Sequence, residues 1–273
     1  METAKIVEKV SAIVILAGKT VRDRFGGSFS TSFKSSPADL VTEVDRNSQS
    51  IILKGLSREF TGHRLVAEED FSEDELRLDD RPVWFIDPLD GTTNFVFGIP
   101  FCAVTVCLAV EGRPLLGVTY DPFREELFTA CRGEGAFLNH RRVQADRRRR
   151  DLGESLLVTG FPSSERFKGE MLGADYAAIF SAAGDVRALG SAALELAYVA
   201  CGRLTGFWEV GLRPWDVAAG MIMVEEAGGT VSDLLGNKLD LANHISIAAS
   251  NGLIHDQLIE KLGYLSKSRY ENK

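Results

Sequence analysis

Two carboxylates follow an apolar stretch within residues 84–95, which read Trp-Phe-Ile-Asp-Pro-Leu-Asp-Gly-Thr-Thr-Asn-Phe. Asp87 ends the apolar run, Pro88 restricts the backbone, and Asp90 stands three residues after the first carboxylate. Two carboxylates held close together repel by about 4 kcal/mol at an effective dielectric of about 20, so the pair needs a counter-charge. Mg²⁺ fits best, because it prefers oxygen ligands and commonly bridges carboxylates to substrate phosphate. The segment therefore predicts a magnesium site.

The same residues have a plainer interpretation, because Asp-Pro and Asp-Gly pairs are common in turns. Two further features favour the metal site. Glu68-Glu69-Asp70 follows the apolar Leu65-Val66-Ala67, and Trp215-Asp216 stands at the head of another apolar helical stretch. Each feature places carboxylates at the end of a predicted element, where binding and catalytic residues are commonly found.

The elements that must position these carboxylates are predicted by hydrophobic periodicity. Residues 6–25 repeat apolar side chains at helical spacing, and Thr42–Phe60 predicts a second helix with Asp45 in its first turn. Apolar β-rich runs predict a hairpin and further strands at Phe101–Val110, Leu115–Tyr120, Glu126–Cys131 and Gly135–Leu138. The second half predicts strands at Leu156–Thr159, Leu204–Trp208 and Ile245–Ala249, and helices at Ala192–Ala200, Trp215–Ala227 and Ile254–Leu262.

Composition places the chain among soluble enzymes rather than nucleic-acid-binding proteins. Its 273 residues are 45% hydrophobic, enough to bury a sizeable core. A net charge of −8 argues against a general nucleic-acid-binding surface. The basic run Arg147–Arg150 lies between Asp146 and Asp151 and predicts a solvated loop.

Cysteine and histidine usage predicts neither disulfides nor zinc. The four cysteines form no Cys-x-x-Cys pair, which favours reduced core thiols, and the four histidines lack metal-ligand spacing. The apolar stretch at residues 12–17 is too short for a signal sequence or a membrane span. We therefore expect a cytoplasmic protein without membrane contact.

Six segments of the chain resemble the inositol monophosphatase family. The two most diagnostic are Trp84–Phe95 and Trp215–Gly220, the latter followed by Glu226-Ala227-Gly228-Gly229. The supporting segments are Lys34–Thr42 with Asp45, Val66–Glu69, Gly133–Asn139 and Gly190–Ala193. The match extends over residues 5–262, so the resemblance covers nearly the whole chain.

The resemblance implies an α/β (α+β) fold, a layered α-β-α-β-α sandwich of the inositol monophosphatase and fructose-1,6-bisphosphatase type. Residues 1–273 would form one domain. Its first half, to about residue 150, would pack a helix pair on an antiparallel sheet, and its second half, residues 151–265, would be α/β. The resemblance also implies a homodimer.

The resemblance further implies two to three Mg²⁺ ions held by oxygen donors: Glu68, Asp87, the backbone carbonyl of Leu89, Asp90 and Asp216. The ions would activate a water for in-line attack on phosphorus and stabilise the departing alkoxide. Thr92, supported by Asp45, would orient or deprotonate that water, and Glu68 would join them in catalysis through a shared ion.

Substrate contacts are also carried over from the resemblance. The residues expected to bind phosphate and the rest of the substrate are Asp90, Gly91, Thr92, Gly190, Ser191, Ala192, Glu209 and Asp216. Lys34 would lie near the metal network, whereas Asp39 and Glu69 are interpreted as structural supports.

Related enzymes hydrolyse inositol monophosphates, fructose 1,6-bisphosphate, histidinol phosphate, nicotinamide dinucleotide phosphate or 3′-phosphoadenosine phosphates. Thr93-Asn94-Phe95 favours the inositol and fructose branches. We expect a lithium-sensitive enzyme that converts inositol monophosphate to myo-inositol and phosphate, with the other small phosphates as alternatives.

Two other classes of function compete with this interpretation. A haloacid-dehalogenase phosphatase would use an aspartyl nucleophile in an Asp-x-Asp motif, but Asp87 and Asp90 are spaced Asp-x-x-Asp. A regulatory role associated with RNA or transcription, as in some bacterial relatives, would accompany catalysis rather than replace it, because the catalytic residues are intact.

Overall fold

A computed structural model describes residues 2–34, 40–72, 81–161, 169–239, 241 and 245–270. The helices in these ranges are α1 (Glu2–Arg24), α2 (Glu43–Glu59), α3 (Thr92–Val96), α4 (Gly169–Ala182), α5 (Ala192–Ala200), α6 (Pro214–Glu226) and α7 (His255–Tyr270). The strands are β1 (Thr31–Phe33), β2 (Leu40–Thr42), β3 (Arg64–Ala67), β4 (Val83–Asp90), β5 (Ala103–Val110), β6 (Arg113–Asp121), β7 (Glu126–Cys131), β8 (Gly135–Leu138), β9 (Arg141–Val143), β10 (Leu156–Thr159), β11 (Asp185–Arg187), β12 (Gly206–Leu212), β13 (Thr230–Ser232) and β14 (Ile245–Ser250).

The strands form two large sheets and one small hairpin. The first sheet has the order β3-β4-β5-β6-β7-β8-β9 and is antiparallel except for the parallel pair β3 and β4. The second has the order β11-β10-β12-β14-β13, with β10 parallel to β11 and β12. Strands β1 and β2 pair by themselves, and Leu40 of β2 reaches the cavity described below.

Helices cover both faces of the first sheet because its central strands are apolar on both sides. The stripe Val10, Val14, Ala17 and Val21 of α1 is fully buried, and α1 and α2 pack together on one face. On the other face lie α5 and α6, which separate the first sheet from the second. Helices α4 and α7 pack together beyond the second sheet. The predicted α/β sandwich with five layers is confirmed.

Helices α5 and α6 are buried nearly all round because each lies between two sheets. Close approach requires glycine at their contacts: a Cβ on Gly220 of α6 would lie 2.4 Å from the Leu196 Cβ of α5. Likewise, a Cβ on Gly117 of β6 would lie 2.8 Å from the Ala219 carbonyl oxygen. The middle layer therefore depends on glycine at two points of contact.

His255 joins the second sheet to the start of α7 through two serines. The Ser232 hydroxyl donates to the Asp233 carbonyl at 2.6 Å, so it accepts from His255 Nε2 at 2.9 Å. The Ser250 hydroxyl accepts from the Gly252 N–H at 3.1 Å and donates to His255 Nδ1 at 3.0 Å. This arrangement requires a neutral imidazole, and burial lowers the pKa of His255 accordingly.

The predicted elements match the structure most closely around the site. The helix at Ala192–Ala200 has the predicted bounds, and the predicted hairpin is β5 and β6. Helix α4 and strand β11 were not predicted, and α7 continues to Tyr270 instead of ending at residue 262. Asp39 lies outside the described residues. The single-domain organisation stays a prediction.

Among the described residues, no helix combines the length and apolar character needed to cross a bilayer. Cytoplasmic residence stays a prediction.

Candidate active site

The end of β4 turns two carboxylates toward one cavity. The pairing of β4 with β5 is regular up to Asp87 and resumes only at Asp90, so the register breaks between the two acids. Gly91 follows with a φ of 96°, a left-handed conformation, and α3 begins at the next residue. A Cβ at Gly91 would lie 3.0 Å from both the Cys102 Cβ and the Gly190 oxygen. Only glycine fits this turn without displacing its neighbours.

The cavity beside this turn has a volume of about 350 Å³. Eleven of the twelve predicted site residues line it: Glu68, Asp87, Leu89, Asp90, Gly91, Thr92, Gly190, Ser191, Ala192, Glu209 and Asp216. The twelfth, Asp45, is fully buried behind Thr92. Both halves of the chain contribute residues to the cavity, so it is lined by residues that lie far apart in the sequence.

The acidic side chains at the cavity disfavour one another's ionisation. Burial raises the pKa of Asp87 well above its usual range, and the charges of Glu68, Asp90 and Asp216 raise it further. Burial and the charges of Glu68 and Asp90 also raise the pKa of Asp216. Burial raises the pKa of Asp90 to about 6, against the opposing effect of the Ser191 hydroxyl. Such a cluster would be stabilised by a bound cation.

One oxygen of each aspartate is fixed by a protein donor. Asp87 Oδ1 accepts from the Leu89 N–H at 2.9 Å, and Asp216 Oδ2 accepts from the Arg213 N–H at 2.7 Å. Asp90 Oδ2 accepts from the Ser191 hydroxyl at 2.5 Å and from the Ala193 N–H at 2.7 Å. The second oxygen of each aspartate lies outside these hydrogen bonds.

This donor set fits Mg²⁺ in its chemistry, since it offers carboxylate oxygens and a backbone carbonyl around one cavity. The described part of the chain contains no group of three or more acidic, histidine or cysteine side chains already gathered into a coordination sphere. The carboxylates therefore line the same cavity, but their oxygens do not lie close enough together to coordinate one ion.

Lys34 occupies the side of the cluster next to Glu68. Its Nζ lies 2.7 Å from Glu68 Oε1 and 2.7 Å from Glu69 Oε1. Burial alone would lower the pKa of Lys34, but the two carboxylates raise it, so the ammonium stays charged. The Glu69 N–H donates to Gln49 at 3.0 Å, which agrees with a supporting position for Glu69.

Thr92 and Asp45 form the pair that the sequence predicted. Thr92 Oγ1 lies 2.9 Å from Asp45 Oδ1 and 3.0 Å from the Leu89 carbonyl oxygen. Asp45 Oδ2 is held by the N–H of Thr42 at 2.8 Å and by its hydroxyl at 2.5 Å, as part of the capping box that begins α2. The cap of α2 therefore fixes the carboxylate that supports Thr92.

The start of α5 and strand β12 build the wall that adjoins Asp90. Gly190 has a φ of 86°, and Ser191 stands at the N-cap position of α5 with its hydroxyl directed to Asp90. Glu209 of β12 is 7% exposed, and a Cβ at Gly160 would lie 2.5 Å from its carboxylate oxygens. Further lining residues that sequence reasoning missed are Leu40, Thr93, Asn94, Gly160, Phe161, Glu195 and Leu212. Glu195 could have been identified from the sequence, because it is an acidic residue in the first turn of a predicted helix.

Comparisons with known proteins agree with this geometry. The model of the inositol monophosphatase family matches residues 3–266. An inositol-1-monophosphatase of Synechocystis is 40% identical over 257 residues, covering 94% of this chain and 88% of that protein. The Nus factor SuhB of Escherichia coli strain K12 is 46% identical over 203 residues, covering 72% of this chain and 73% of that protein. A solved inositol monophosphatase structure from Anabaena has a TM-score of 0.86 at 36% identity, covering 97% of both chains.

The family match includes every described element that lines the cavity, from β2 to α6. The family consists of phosphatases that generally use Mg²⁺, in agreement with the acidic cluster at the end of β4. The expectation of a phosphatase is confirmed. The chain belongs to the inositol monophosphatase family.

Proposed function

We propose that the protein hydrolyses inositol monophosphate to myo-inositol and phosphate in a Mg²⁺-dependent reaction. The observation that carries the proposal is the meeting of an acidic cluster, the Thr92–Asp45 pair and the wall that contains Glu209 in one cavity. Glu68, Asp87, the Leu89 carbonyl, Asp90 and Asp216 would hold two to three ions. Mg²⁺ bound there would acidify a water and neutralise charge on the phosphate.

Thr92 can accept a hydrogen bond from the attacking water because its own hydroxyl proton is donated to Asp45. Because its hydroxyl donates to Asp45 at 2.9 Å, its oxygen lone pairs are free to accept a proton from water. Burial raises the pKa of Asp45, whereas its hydrogen bonds from Thr42 and Thr92 lower it, so these donors favour the carboxylate. Thr92 therefore orients the water, and as its oxygen accepts a proton from that water its own hydroxyl proton passes to the Asp45 carboxylate.

The remaining contacts hold the two ends of the substrate. The backbone N–H groups of Gly91 and Thr92 would bind the phosphate, since no side chain at Gly91 blocks its approach. Gly190, Ser191, Ala192 and Glu209 would contact the cyclitol, and the Glu209 carboxylate would accept hydrogen bonds from its hydroxyls. This division puts phosphate beside the acids and the leaving group beside α5.

A panel of phosphomonoesters tests the substrate. Purified protein with Mg²⁺ should release phosphate from inositol 1-phosphate with a higher kcat/KM than from fructose 1,6-bisphosphate, histidinol phosphate or adenosine phosphates. EDTA should abolish the rate, and excess Mg²⁺ should restore it. A clear preference for another phosphate in the panel would refute inositol monophosphate as the substrate.

Asp90→Asn tests the site itself. The substitution keeps the side-chain shape but removes one charge, and we expect activity to fall by about 10²-fold or more with the fold retained. Circular dichroism checks the fold, and Glu154→Gln, at a position outside the cavity, is the matched control. Full turnover by Asp90→Asn would refute the assignment.

The homodimer belongs to the same proposal. Phe97 and Ile99, which follow α3, are 73% and 49% exposed, and large exposed apolar side chains of this kind favour a subunit interface. Analytical ultracentrifugation should give twice the chain mass of 29.9 kDa. A Phe97→Ser variant should shift the equilibrium to monomer.

The relatives named Nus factor SuhB favour a second candidate function, participation in a transcription or RNA-associated assembly. Arg147 and Arg150 are exposed, Arg147 beside Gly228 after α6 and Arg150 with its carbonyl bound by Gln257 of α7, and they would contact an acidic partner. Co-purification of transcription proteins with the wild type, lost in Arg147→Ser/Arg150→Ser, would support this function. Co-purification that survives both substitutions would place the contact elsewhere.

A further inference from the structure

The segment Leu189–Ser191, here called the substrate loop, is held from two opposite sides by side chains. On one side, Glu195 Oε1 accepts from the Leu189 N–H at 2.8 Å and from the Gly190 N–H at 3.0 Å. On the other, Asn94 Nδ2 donates to the Leu189 carbonyl at 2.7 Å and lies 3.3 Å from the Gly190 oxygen. Both the donors and the acceptors of this loop are therefore used.

The two side chains come from different helices and both line the cavity. Asn94 lies on α3, directly after the Gly91 turn, and also donates to the Phe101 carbonyl at 2.7 Å. Glu195 lies in the first turn of α5 and reaches back to N–H groups that precede the helix. The substrate loop is thereby fixed relative to the phosphate end of the site.

The second carboxyl oxygen of Glu195, Oε2, takes no part in the proposed reaction. The side chain is 1% exposed, and Oε2 has no hydrogen-bond partner among the described atoms. A buried carboxyl oxygen without a hydrogen-bond partner lowers the free energy of unfolding. Its position beside the cavity therefore calls for a functional explanation. Because Oε2 is enclosed, substrate cannot touch it directly, and any effect must pass through its neighbours.

Glu209 is a buried carboxyl group whose pKa Glu195 affects. Burial raises the pKa of Glu209 well above its usual range, and Glu195 is the charged group with the largest further effect. Burial also raises the pKa of Glu195 itself, to about 8, so this side chain is mostly neutral at pH 7. Two ionised carboxylates at this depth would repel each other, so the charge of Glu195 disfavours the ionisation of Glu209 in addition to the effect of burial.

We propose that Glu195 is a positioning residue that sets the preference for hydroxylated leaving groups by fixing the substrate loop. This inference rests on the proposed function, because it assigns the loop and Glu209 to the leaving-group end. At the metal end, Asp90 accepts from Ser191, the last residue of the loop, and also from the Ala193 N–H inside α5, which does not depend on Glu195.

Two substitutions separate this role from plain structural support. Glu195→Gln keeps an oxygen that accepts from the loop and imitates the neutral acid. Glu195→Leu keeps similar volume but removes the acceptor. Leu196→Ala is the matched control, because Leu196 is fully buried on the same helix and packs on Gly220, away from the substrate loop.

The assay compares inositol 1-phosphate with cyclohexyl phosphate, which has the same ring size but no free hydroxyls. For Glu195→Leu, we expect KM for inositol 1-phosphate to rise about tenfold, since about two hydrogen bonds to the loop are lost. Its kcat/KM for cyclohexyl phosphate should stay within about twofold of wild type. Glu195→Gln should match wild type on both substrates. Leu196→Ala should lower Tm without changing the ratio of the two kcat/KM values.

Equal losses on both substrates in Glu195→Leu, or a failure of Glu195→Gln to restore the preference, would overturn the proposal. If inositol monophosphate is not the substrate, the result is different. The wild type would then prefer another hydroxylated phosphate in the panel over inositol 1-phosphate. The same variants, tested with that phosphate against cyclohexyl phosphate, would still decide the role of Glu195. A wild type that prefers no hydroxylated phosphate would also overturn it.

Discussion

Replacing Thr92 by valine should separate its effect on the reaction from its effect on the fold. Valine has nearly the same shape, so the substitution removes the hydroxyl that lies 2.9 Å from Asp45 Oδ1 and leaves the packing unchanged. Asp45 is fully buried, and its remaining donors, both on Thr42, bind the other oxygen. Oδ1 therefore loses its donor in an enclosed position.

The expected magnitudes differ enough to be measured independently. Leaving a buried acceptor unpaired costs about 1–3 kcal/mol in the free energy of unfolding. A domain stability of about 5–15 kcal/mol absorbs this, so the variant should fold, with a Tm lower by several degrees. Loss of the group that accepts a proton from the attacking water should lower kcat by about 10²–10⁴-fold. The pKa of Asp45 should rise, because the Thr92 hydrogen bond lowers it.

Phosphate release under saturating substrate and Mg²⁺ measures the rate, and thermal unfolding measures the stability. Thr92→Ser keeps the hydroxyl and should stay near wild type. Thr119→Val is the matched control, because it removes a buried hydroxyl that lies 2.7 Å from the Thr105 hydroxyl, in a part of the sheet that does not line the cavity. It should lower Tm comparably and leave kcat unchanged. A folded Thr92→Val enzyme with kcat within about threefold of wild type would refute the role of Thr92.

Three further predictions concern stability and stereochemistry. The pKa of His255 is lowered by burial, so the unfolded state binds more protons as pH falls below about 6.5. The contribution of His255 to stability should therefore be full above that pH and be lost below it. The difference between wild type and His255→Gln in urea unfolding from pH 5 to 8 isolates this contribution from those of the buried acids, and a difference that does not change with pH would contradict it. Gly117→Ala should destabilise the protein by about 1–3 kcal/mol in the same experiment, since its Cβ would lie 2.8 Å from the Ala219 oxygen; an unchanged midpoint would contradict this. Direct attack by water should invert configuration at a chiral thiophosphate, whereas retention, or a phosphoenzyme trapped within residues 84–95, would indicate an aspartyl nucleophile.

The sequence was sufficient to predict the acidic end of the site because local signals coincide there. An apolar run that stops at Asp87, followed by Pro88 and Gly91, marks a strand end and a turn without knowledge of the partner strands. Similarly, Pro214 at the first position of α6 and the small residues after Gly190 mark helix starts. These signals depend on residues adjacent in the chain.

The missed residues depend on contacts between distant segments. Asn94 and Glu195 act on the same three-residue loop, but helical periodicity does not single them out, since α5 is buried on every side. Strand β12 continues to Leu212, beyond the predicted Trp208, because its pairing with β14 resumes after an irregularity. Helix α4 lacks a sustained apolar stripe, so no period identified it.

Acidic groups and recognition groups come from different stretches of the chain. Glu68, Asp87 and Asp90 belong to the first half of the chain, and the substrate loop and Glu209 belong to the second. Asp216 is the one proposed metal ligand that lies in the second half. If residues 189–212 contact the leaving group as proposed, substitutions there, except at Ser191, which binds Asp90, would change which alcohol is released. Substrate range in a lineage with such substitutions would diversify faster than its chemistry, and a chimaera joining one homologue's residues 1–150 to another's second half should inherit the specificity of the latter.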